Sequence, residues 1–335
     1  MHFIQGKERS QSVLFPQSLD QIISLDNEVR MIDLFVESIS LKDFEFAIKI
    51  TNEGRPAYHP KDLLKLFVYG YLNHIRSSRQ LEKECLRNIE LMWLMKQLEP
   101  DHNTISNFRR DNEKSIRKVF RHTVSIAKHF DLIGGTLVAG DSTKLRAQNS
   151  KKNNFNEAKI ERHIAYIDAR LDEYNKALAE ADEDNKRIIK GQIAKHTARK
   201  VEYETMDREL SNSDEFQIST SDPDSRQMMT RNNISEVAYN VQTVVDAKHN
   251  LPIDYKVTNH NDTRAMSGML RRTKMILGSS GFTALYDKGY HTGSEIKYAL
   301  DMNINIMVAI PNTSSNAPDE NYNLSHFKYD TLTDS

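Results

Sequence analysis

Thr136-Leu137-Val138-Ala139-Gly140-Asp141 and, far along the chain, Phe282-Thr283-Ala284-Leu285-Tyr286-Asp287 are two short apolar runs that each end in an aspartate. Runs of that length and composition read as buried strands. Gly134-Gly135 precedes the first and stops the helical texture before it. Between the two, Val237 to Asp246 alternates weakly and Leu251 to Thr258 follows a turn at Lys248-His249-Asn250, which predicts a hairpin. A helix is expected from Thr263 to about Leu277, another near Ser294 to Leu300, and a last strand from Ile304 to Ile310, stopped by Pro311. One strand, a hairpin, then helix–strand–helix–strand predicts an α/β domain built on a sheet of mixed strand direction.

Upstream the pattern is helical. Pro60 suits a first helical turn, and Leu63, Leu64, Phe67, Val68, Tyr71 and Leu72 recur at helical spacing. Ser77 with Gln80 has the form of a capping box opening a helix that carries Leu81, Cys85 and Leu86. Leu91-Met92-Trp93-Leu94-Met95 is a buried segment, with Trp93 read as core. After the polar turn at Pro100-Asp101 comes a short helix with adjacent arginines, then a longer one with Ile116, Val119, Phe120, Thr123, Ala127 and Phe130 on one face. Residues 1 to 54 hold five Lys/Arg against nine Asp/Glu, whereas Arg55 to Asp131 hold fifteen against nine, a local excess of six positive charges. Arg109, Arg110, Lys114, Arg117, Lys118 and Arg121 cluster there. Short helices with such a cluster suit a helix-turn-helix-like DNA module, and equally a solvated basic face on a helical bundle.

Residues 151 to 219 interrupt the α/β pattern. Between 151 and 210 there are thirteen Lys/Arg, thirteen Asp/Glu and no proline, and Ile160, Ile164, Ile167, Leu171, Tyr174 and Leu178 step by four and three. With a turn at Asp182-Glu183-Asp184-Asn185 and a return through Ile189, Ile193, Val201 and Leu210, this reads as a helical hairpin. An intermolecular coiled coil is the alternative, although the stripe lasts only about three heptads.

The whole chain has 335 residues, 46 Lys/Arg against 47 Asp/Glu and a net charge of −1, so any nucleic-acid surface has to be local. One cysteine, Cys85, excludes an internal disulfide framework and fits a reducing compartment. No apolar stretch reaches the length of a bilayer and no signal peptide is apparent, so a cytoplasmic protein without membrane association is expected.

The chemistry rests on Asp141 and Asp287. A carboxylate at a strand end is held rigidly at the sheet edge, and two from adjacent strands can bridge hard divalent cations. Two such ions roughly 3.5–4 Å apart serve phosphoryl transfer. Asp141-Ser142-Thr143 and Asp287-Lys288-Gly289 also pass as ordinary turns, in which the acids are caps or turn formers.

Tyr286-Asp287-Lys288-Gly289-Tyr290 resembles the Asp-x-Gly-Tyr signature of bacterial insertion-sequence transposases of the DDE type, and Val138-Ala139-Gly140-Asp141-Ser142-Thr143 is similar to the strand carrying their first aspartate. His59-Pro60-Lys61-Asp62-Leu63-Leu64, Ser78-Arg79-Gln80-Leu81-Glu82 and Pro100 to Arg109 resemble their N-terminal helical domain. Ser221 to Arg226, Tyr239-Asn240-Val241-Gln242 and His260-Asn261-Asp262 fall where that group has comparable stretches. The series runs in order over nearly the whole chain.

The resemblance implies an all-helical DNA-binding domain (1–133) and a ribonuclease-H-like catalytic domain (134–150 and 220–335) interrupted by the helical-hairpin insertion (151–219). It implies metal-dependent cleavage and strand transfer of DNA, with Mg²⁺ (Mn²⁺ substituting) held by Asp141 and Asp287. Arg109, Arg110, Lys114, Arg117, Lys288 and Tyr290 are the expected DNA contacts. The implied partners are double-stranded DNA, as terminal inverted repeats and target, and further copies of the chain on that DNA. The family also requires a third acid, a glutamate on a helix beyond the last strand. Only 25 residues follow Ile310, and Glu320 sits poorly in Pro318-Asp319-Glu320-Asn321, so a C-terminally truncated chain is expected, with that acid beyond Ser335. Two other readings stand beside this one: a catalytically incomplete protein that binds DNA ends, and a ribonuclease-H-like nuclease unrelated to transposition.

Overall fold

The computed structural model describes residues 17–47, 56–213, 215–230, 234–311, 326, 328–330 and 332–333. The chain divides into two compact units, Met1–Ile126 and Ala127–Ser335, the division falling within a helix.

The first unit is helical: α1 (Leu19–Ile22), α2 (Glu28–Ser38), α3 (Pro60–Leu72), α4 (Ser78–Arg87), α5 (Ile89–Leu94), α6 (His102–Asp111) and most of α7 (Glu113–His129). Its core draws Val29, Ile32 and Val36 from α2, Leu64, Leu66 and Tyr69 from α3, Leu81 and Cys85 from α4, and Ile105 and Phe108 from α6. Local chemistry sets the helix starts. Asn27 accepts from Val29 N, His59 from Lys61 N with Pro60 in the first turn, and Asp101 from the amides of Asn103 and Thr104.

Three sequence expectations shift. Ser77 does precede α4, but its side chain makes no capping bond, and the Gln80 amide donates to the Ser77 carbonyl at 3.1 Å. The reciprocal capping box is at Ser18 and Gln21 of α1. On α7 the buried positions are Ser115, Val119 and Val124, while Thr123 is exposed and Phe130, also exposed, lies just past the helix end. Ser115 sits inward because its hydroxyl donates to the Glu45 carbonyl at 2.8 Å. On α3 the exposed residues are Tyr71 and Leu72, and Lys65 is fully buried.

Lys65 reaches Asp33 at 2.6 Å and Glu37 at 2.7 Å, both on α2, and Lys61 adds a contact to Glu37 at 3.1 Å. A buried ammonium is tolerated only where carboxylates meet it. Burial opposes the Lys65 charge, yet the bonds from Asp33 and Glu37 outweigh it and raise the pKa. The Glu37 carboxyl is lowered from its ordinary 4.5 to about 2, first by its bond to Lys65 and then by Lys61. A carboxyl with a depressed folded pKa adds stability above its unfolded value, and that stability is lost as pH falls through the folded value. The helical unit is therefore expected to lose stability between about pH 4.5 and pH 2 more steeply than a Glu37→Gln variant. Melting curves followed by circular dichroism across that window check this, and parallel slopes would refute it.

The second unit opens with β1 (Leu137–Arg146). Then come β2 (Asn154–Phe155), two long helices α8 (Glu157–Glu180) and α9 (Glu183–Ser211), β3 (Ile218–Ser219) and β4 (Arg226–Met229). The hairpin β5 (Ser235–Asp246) and β6 (Pro252–Thr258), α10 (Met266–Leu277), β7 (Thr283–Tyr286), α11 (Gly293–Asp301) and β8 (Asn305–Val308) complete it. The main sheet runs β4-β5-β1-β7-β8, with β6 also beside β5. β1 is antiparallel to β5 and parallel to β7, and β7 is parallel to β8, so the sheet is mixed as expected. α8 and α9 pack on each other through Ile160, Ile167, Tyr203 and Leu210. The β2–β3 pair joins the two ends of this helical segment. Val201, expected on the returning apolar face, is half exposed; Tyr203 and Met206 take that place.

Long-range polar contacts tie the sheet to its surroundings. The buried Asp246, at the end of β5, accepts from the amides of Gly134, Gly135 and Lys248 at 3.0, 2.8 and 2.9 Å. It thereby fixes the turn that delivers the chain into β1. Arg272 on α10 meets the buried Asp254 of β6, at 2.7 Å through one of its two contacts. The first turn of α10, whose own N-cap residue is Ala265, is capped from outside: Glu295 of α11 accepts from Ser267 N at 2.7 Å.

Candidate functional site

β7 pairs with β1 only over Leu137–Gly140, while β5 stays paired with β1 as far as Arg146. The sheet therefore splits just after Gly140. Gly140 and Tyr286 are register partners, so Asp141 and Asp287 are the next residues of two adjacent strands, which lie about 4.8 Å apart in a sheet. Both aspartates are exposed. Asp141 Oδ1 accepts from Ser142 N at 2.7 Å, and Asp287 Oδ1 from Gly289 N at 2.9 Å, where it caps a short 3₁₀ turn over Lys288–Tyr290. The turn-forming role open to Asp287 from sequence is thus realised. It engages one carboxylate oxygen.

Gly140 is required by what crosses it. A Cβ built there would lie 2.1 Å from Tyr286 Cε1 and 2.2 Å from Cζ. The Tyr286 ring covers the strand and packs at 4.8 Å on the Tyr290 ring.

On the half-buried face of β1, Ser142 and Lys144 belong to a polar network centred on Asp262, in the turn before α10. Its carboxylate accepts from Asn240 at 2.8 Å, Gln242 at 2.9 Å and Lys144 at 3.0 Å, with a further bond from Ser142. Burial pushes the Asp262 carboxyl up, but the bonds from Asn240, Ser142, Lys144 and Gln242 outweigh it and the pKa falls below the ordinary value. The sequence reading placed His260-Asn261-Asp262 in a matching stretch without a role for the acid. The signal it lacked was pairing over long separations, since Asn240, Gln242 and Lys144 become neighbours only through strand register.

Tyr290, expected beside DNA phosphates, is 1% exposed, and its hydroxyl donates to Gln242 Oε1 at 2.6 Å. That expectation is corrected: the ring is enclosed between Tyr286 and the polar network and props the loop from inside. Its hydroxyl pKa is held well above the ordinary value, by burial first and then by the charges of Asp262, Asp141 and Asp287, against the lowering effect of Ser142. Lys288 is exposed. Among the described residues no group of three His, Cys, Asp or Glu is placed to hold a metal ion, and Glu320 lies outside the described residues.

Residues 17–111 match a family model described as a transposase domain (DUF772). The matched segment holds α1 to α6 of the helical unit and ends at Asp111, just after Arg109 and Arg110. Among solved structures, one similar chain comes from a cryo-EM structure of a piggyBac transposase synaptic complex with hairpin DNA. The likeness covers 88% of this chain and 50% of that one, at 10% sequence identity and a TM-score of 0.34, so this chain spans about half the length of that relative. No curated protein matches the sequence.

Around the end of the transposase-domain match, Arg109, Arg110 and Lys114 are exposed and Arg117 is half-buried. Arg110 pairs with Asp111 at 3.0 Å, Arg117 with Glu113 at 3.4 Å and Lys118 with Glu45 at 2.9 Å. Exposed pairs of this kind are weak, about 0–1 kcal/mol, and yield readily to a phosphate. No helix among the described residues is long and apolar enough to cross a membrane.

Proposed function

We propose that this chain is a transposase of the DDE type, which cuts and rejoins DNA phosphodiester bonds with Mg²⁺, Mn²⁺ substituting. The observation that carries the reading is the split of the sheet after Gly140, beside which Asp141 and Asp287 continue adjacent parallel strands. The transposase-domain match over residues 17–111 supports the DNA context. The strand order supports the ribonuclease-H-like arrangement: an antiparallel trio β6-β5-β1 is continued by two parallel strands, each preceded by a helix.

Two exposed carboxylates suit Mg²⁺, which binds one or two of them and completes its shell with waters and substrate phosphates. Asp141 and Asp287 would hold the ion, and a bound ion activates the attacking oxygen and stabilises the leaving one. Lys288, exposed next to Asp287, offers a point charge to a phosphate. The chain's own contribution beyond these is rigidity. Asp262 neutralises Lys144 while fixing Asn240 and Gln242, and Tyr290 locks Gln242, so the loop carrying Asp287 is held from behind.

The test is cleavage of duplex DNA by the full chain in Mg²⁺ or Mn²⁺, with EDTA as control. Cleavage that persists in EDTA overturns the reading, and salt-dependent binding without any cleavage favours the end-binding alternative. DNA affinity itself is expected to depend on Arg109 and Arg110. If each neutralises one phosphate, replacing both with alanine lowers the slope of log K against log salt by roughly 1.8. An unchanged slope in fluorescence anisotropy would make them a solvated face.

A further inference from the structure

α8 and α9 carry a second constellation, separate from the split sheet. Lys159, Arg162, His163 and Tyr166 recur at three- and four-residue spacing on α8, as do His196, Arg199 and Tyr203 on α9. Such spacing brings each set to one side of its helix. Beside the apolar seam the two sets line a cleft of about 540 Å³, and its lining contains no carboxylate. That is unusual on helices whose acidic and basic residues are equal in number between 151 and 210.

Three features make the cleft an anion site. First, positive charge converges on it. The Lys159 ammonium is anchored by the carbonyls of Lys151, Lys152 and Asn154 at 3.0, 3.0 and 2.6 Å and covers the Phe155 ring at 4.2 Å. It is therefore a fixed charge whose bonds are taken, while Arg162 and Arg199 are exposed at the rim. Second, the floor is rigid: the rings of His163 and Tyr203 stack at 4.8 Å with only 4° between their planes. Third, His196 Nδ1 is buried without a hydrogen-bond partner. A buried polar atom left unpaired costs about 1–3 kcal/mol, which a turn of the ring toward a ligand oxygen in the cleft would relieve. Burial and the charges of Lys159, Arg199 and Arg162 also lower the His163 pKa, as expected where cations crowd without an acid to balance them.

We propose that this cleft binds a phosphate group, gripped by the Arg162 and Arg199 guanidiniums and the His196 ring. Guanidinium forks match phosphate oxygens in pairs, and the cleft is large enough for a phosphate with an attached sugar or base. The phosphate comes either from a DNA strand or from a small free ligand.

The experiment follows the histidine ring protons of the full chain by NMR, with His163 and His196 assigned from His163→Gln and His196→Gln variants. Inorganic phosphate and a short single-stranded oligothymidylate are titrated separately. Saturable shifts of the His163 and His196 signals are expected. Arg162→Ala/Arg199→Ala should weaken binding by at least about tenfold, equivalent to about 1.4 kcal/mol. Its fold is checked by circular dichroism, and Arg162→Lys/Arg199→Lys, which keeps the charge, should retain part of the affinity. Tighter binding of the oligonucleotide identifies a DNA strand as the source, and equal or tighter binding of inorganic phosphate identifies a free ligand. If neither probe moves these two histidines, or if the double alanine variant binds as the wild type does, the proposal is overturned.

Discussion

Asp141→Asn and Asp287→Asn are each expected to reduce metal-dependent DNA cleavage by about a thousandfold or more while leaving the fold and DNA binding intact. The substitution keeps the shape of the side chain and removes one negative charge from the position where a divalent cation has to be held. Metal-ion stabilisation of a phosphoryl-transfer transition state is worth several kcal/mol, and each 1.36 kcal/mol is about tenfold in rate. The local bonds survive, because an asparagine oxygen can still accept from Ser142 N or Gly289 N as the aspartate oxygens do. Both positions are exposed, so stability should change by no more than about 0.5 kcal/mol. Asp287→Ala is a harsher change, since it also removes the cap of the following turn and costs about 1 kcal/mol. Initial cleavage rates in Mg²⁺, measured beside melting temperature and DNA affinity, separate these effects. A rate within about threefold of wild type for either asparagine variant would remove that residue from the proposed site.

Gly140→Ala should destabilise the second unit by about 3 kcal/mol, the upper end of what overpacking costs. The added methyl would meet Tyr286 Cε1 and Cζ at 2.1 and 2.2 Å, far inside the roughly 3.5–4.0 Å at which carbon atoms rest. Neither partner can slide away, because Gly140 and Tyr286 are paired in adjacent strands and the Tyr286 ring is 6% exposed against Tyr290. The ring has to leave its position, disturbing the packing behind Asp287. Tyr286→Ala alone costs about 3–5 kcal/mol, as buried aromatic truncations do. The double variant, however, is expected to be no less stable than Tyr286→Ala, because the clash disappears with the ring. Tyr286→Phe should be neutral or slightly stabilising, since the buried Tyr286 hydroxyl has no hydrogen-bond partner. Denaturant unfolding of these variants checks the set, and simple additivity of Gly140→Ala and Tyr286→Ala would show that the methyl is not opposed by the ring.

Much of the fold was legible locally. Hydrophobic runs and their breaks located the start of β1 and, within a few residues, the β5–β6 hairpin, α10, β7, α11 and β8, and a four-and-three stripe from Ile160 marked α8. These features repeat at the period of a single element, so neighbours in sequence suffice to read them. Of the site, only two candidate acids were legible, and the expectations that shifted were those that depend on contacts between residues distant in sequence. Ser77 has the local motif of a capping residue, yet its side chain makes no cap bond in the folded chain. Tyr290, expected as a DNA contact, is instead enclosed by Gln242 and Tyr286, which lie beside it only in the folded chain.

By itself, then, the sequence determined the order and type of most elements from α3 onward and placed Asp287 at a strand end, whereas β1 runs on through Asp141, expected to close it, as far as Arg146 because β5 stays paired with it there. The sequence also determined the basic stretch around Arg109 and Arg110. Tertiary structure decided that Asp141 and Asp287 continue neighbouring strands, that Asp262 gathers Lys144, Asn240 and Gln242, and that Lys65 is enclosed beside Asp33 and Glu37. The physical reason is range. Element type follows from side-chain periodicity within one or two turns, whereas a buried charge or a shared site depends on which distant strand or helix the backbone brings alongside. That choice is made by strand register and by packing across the whole unit.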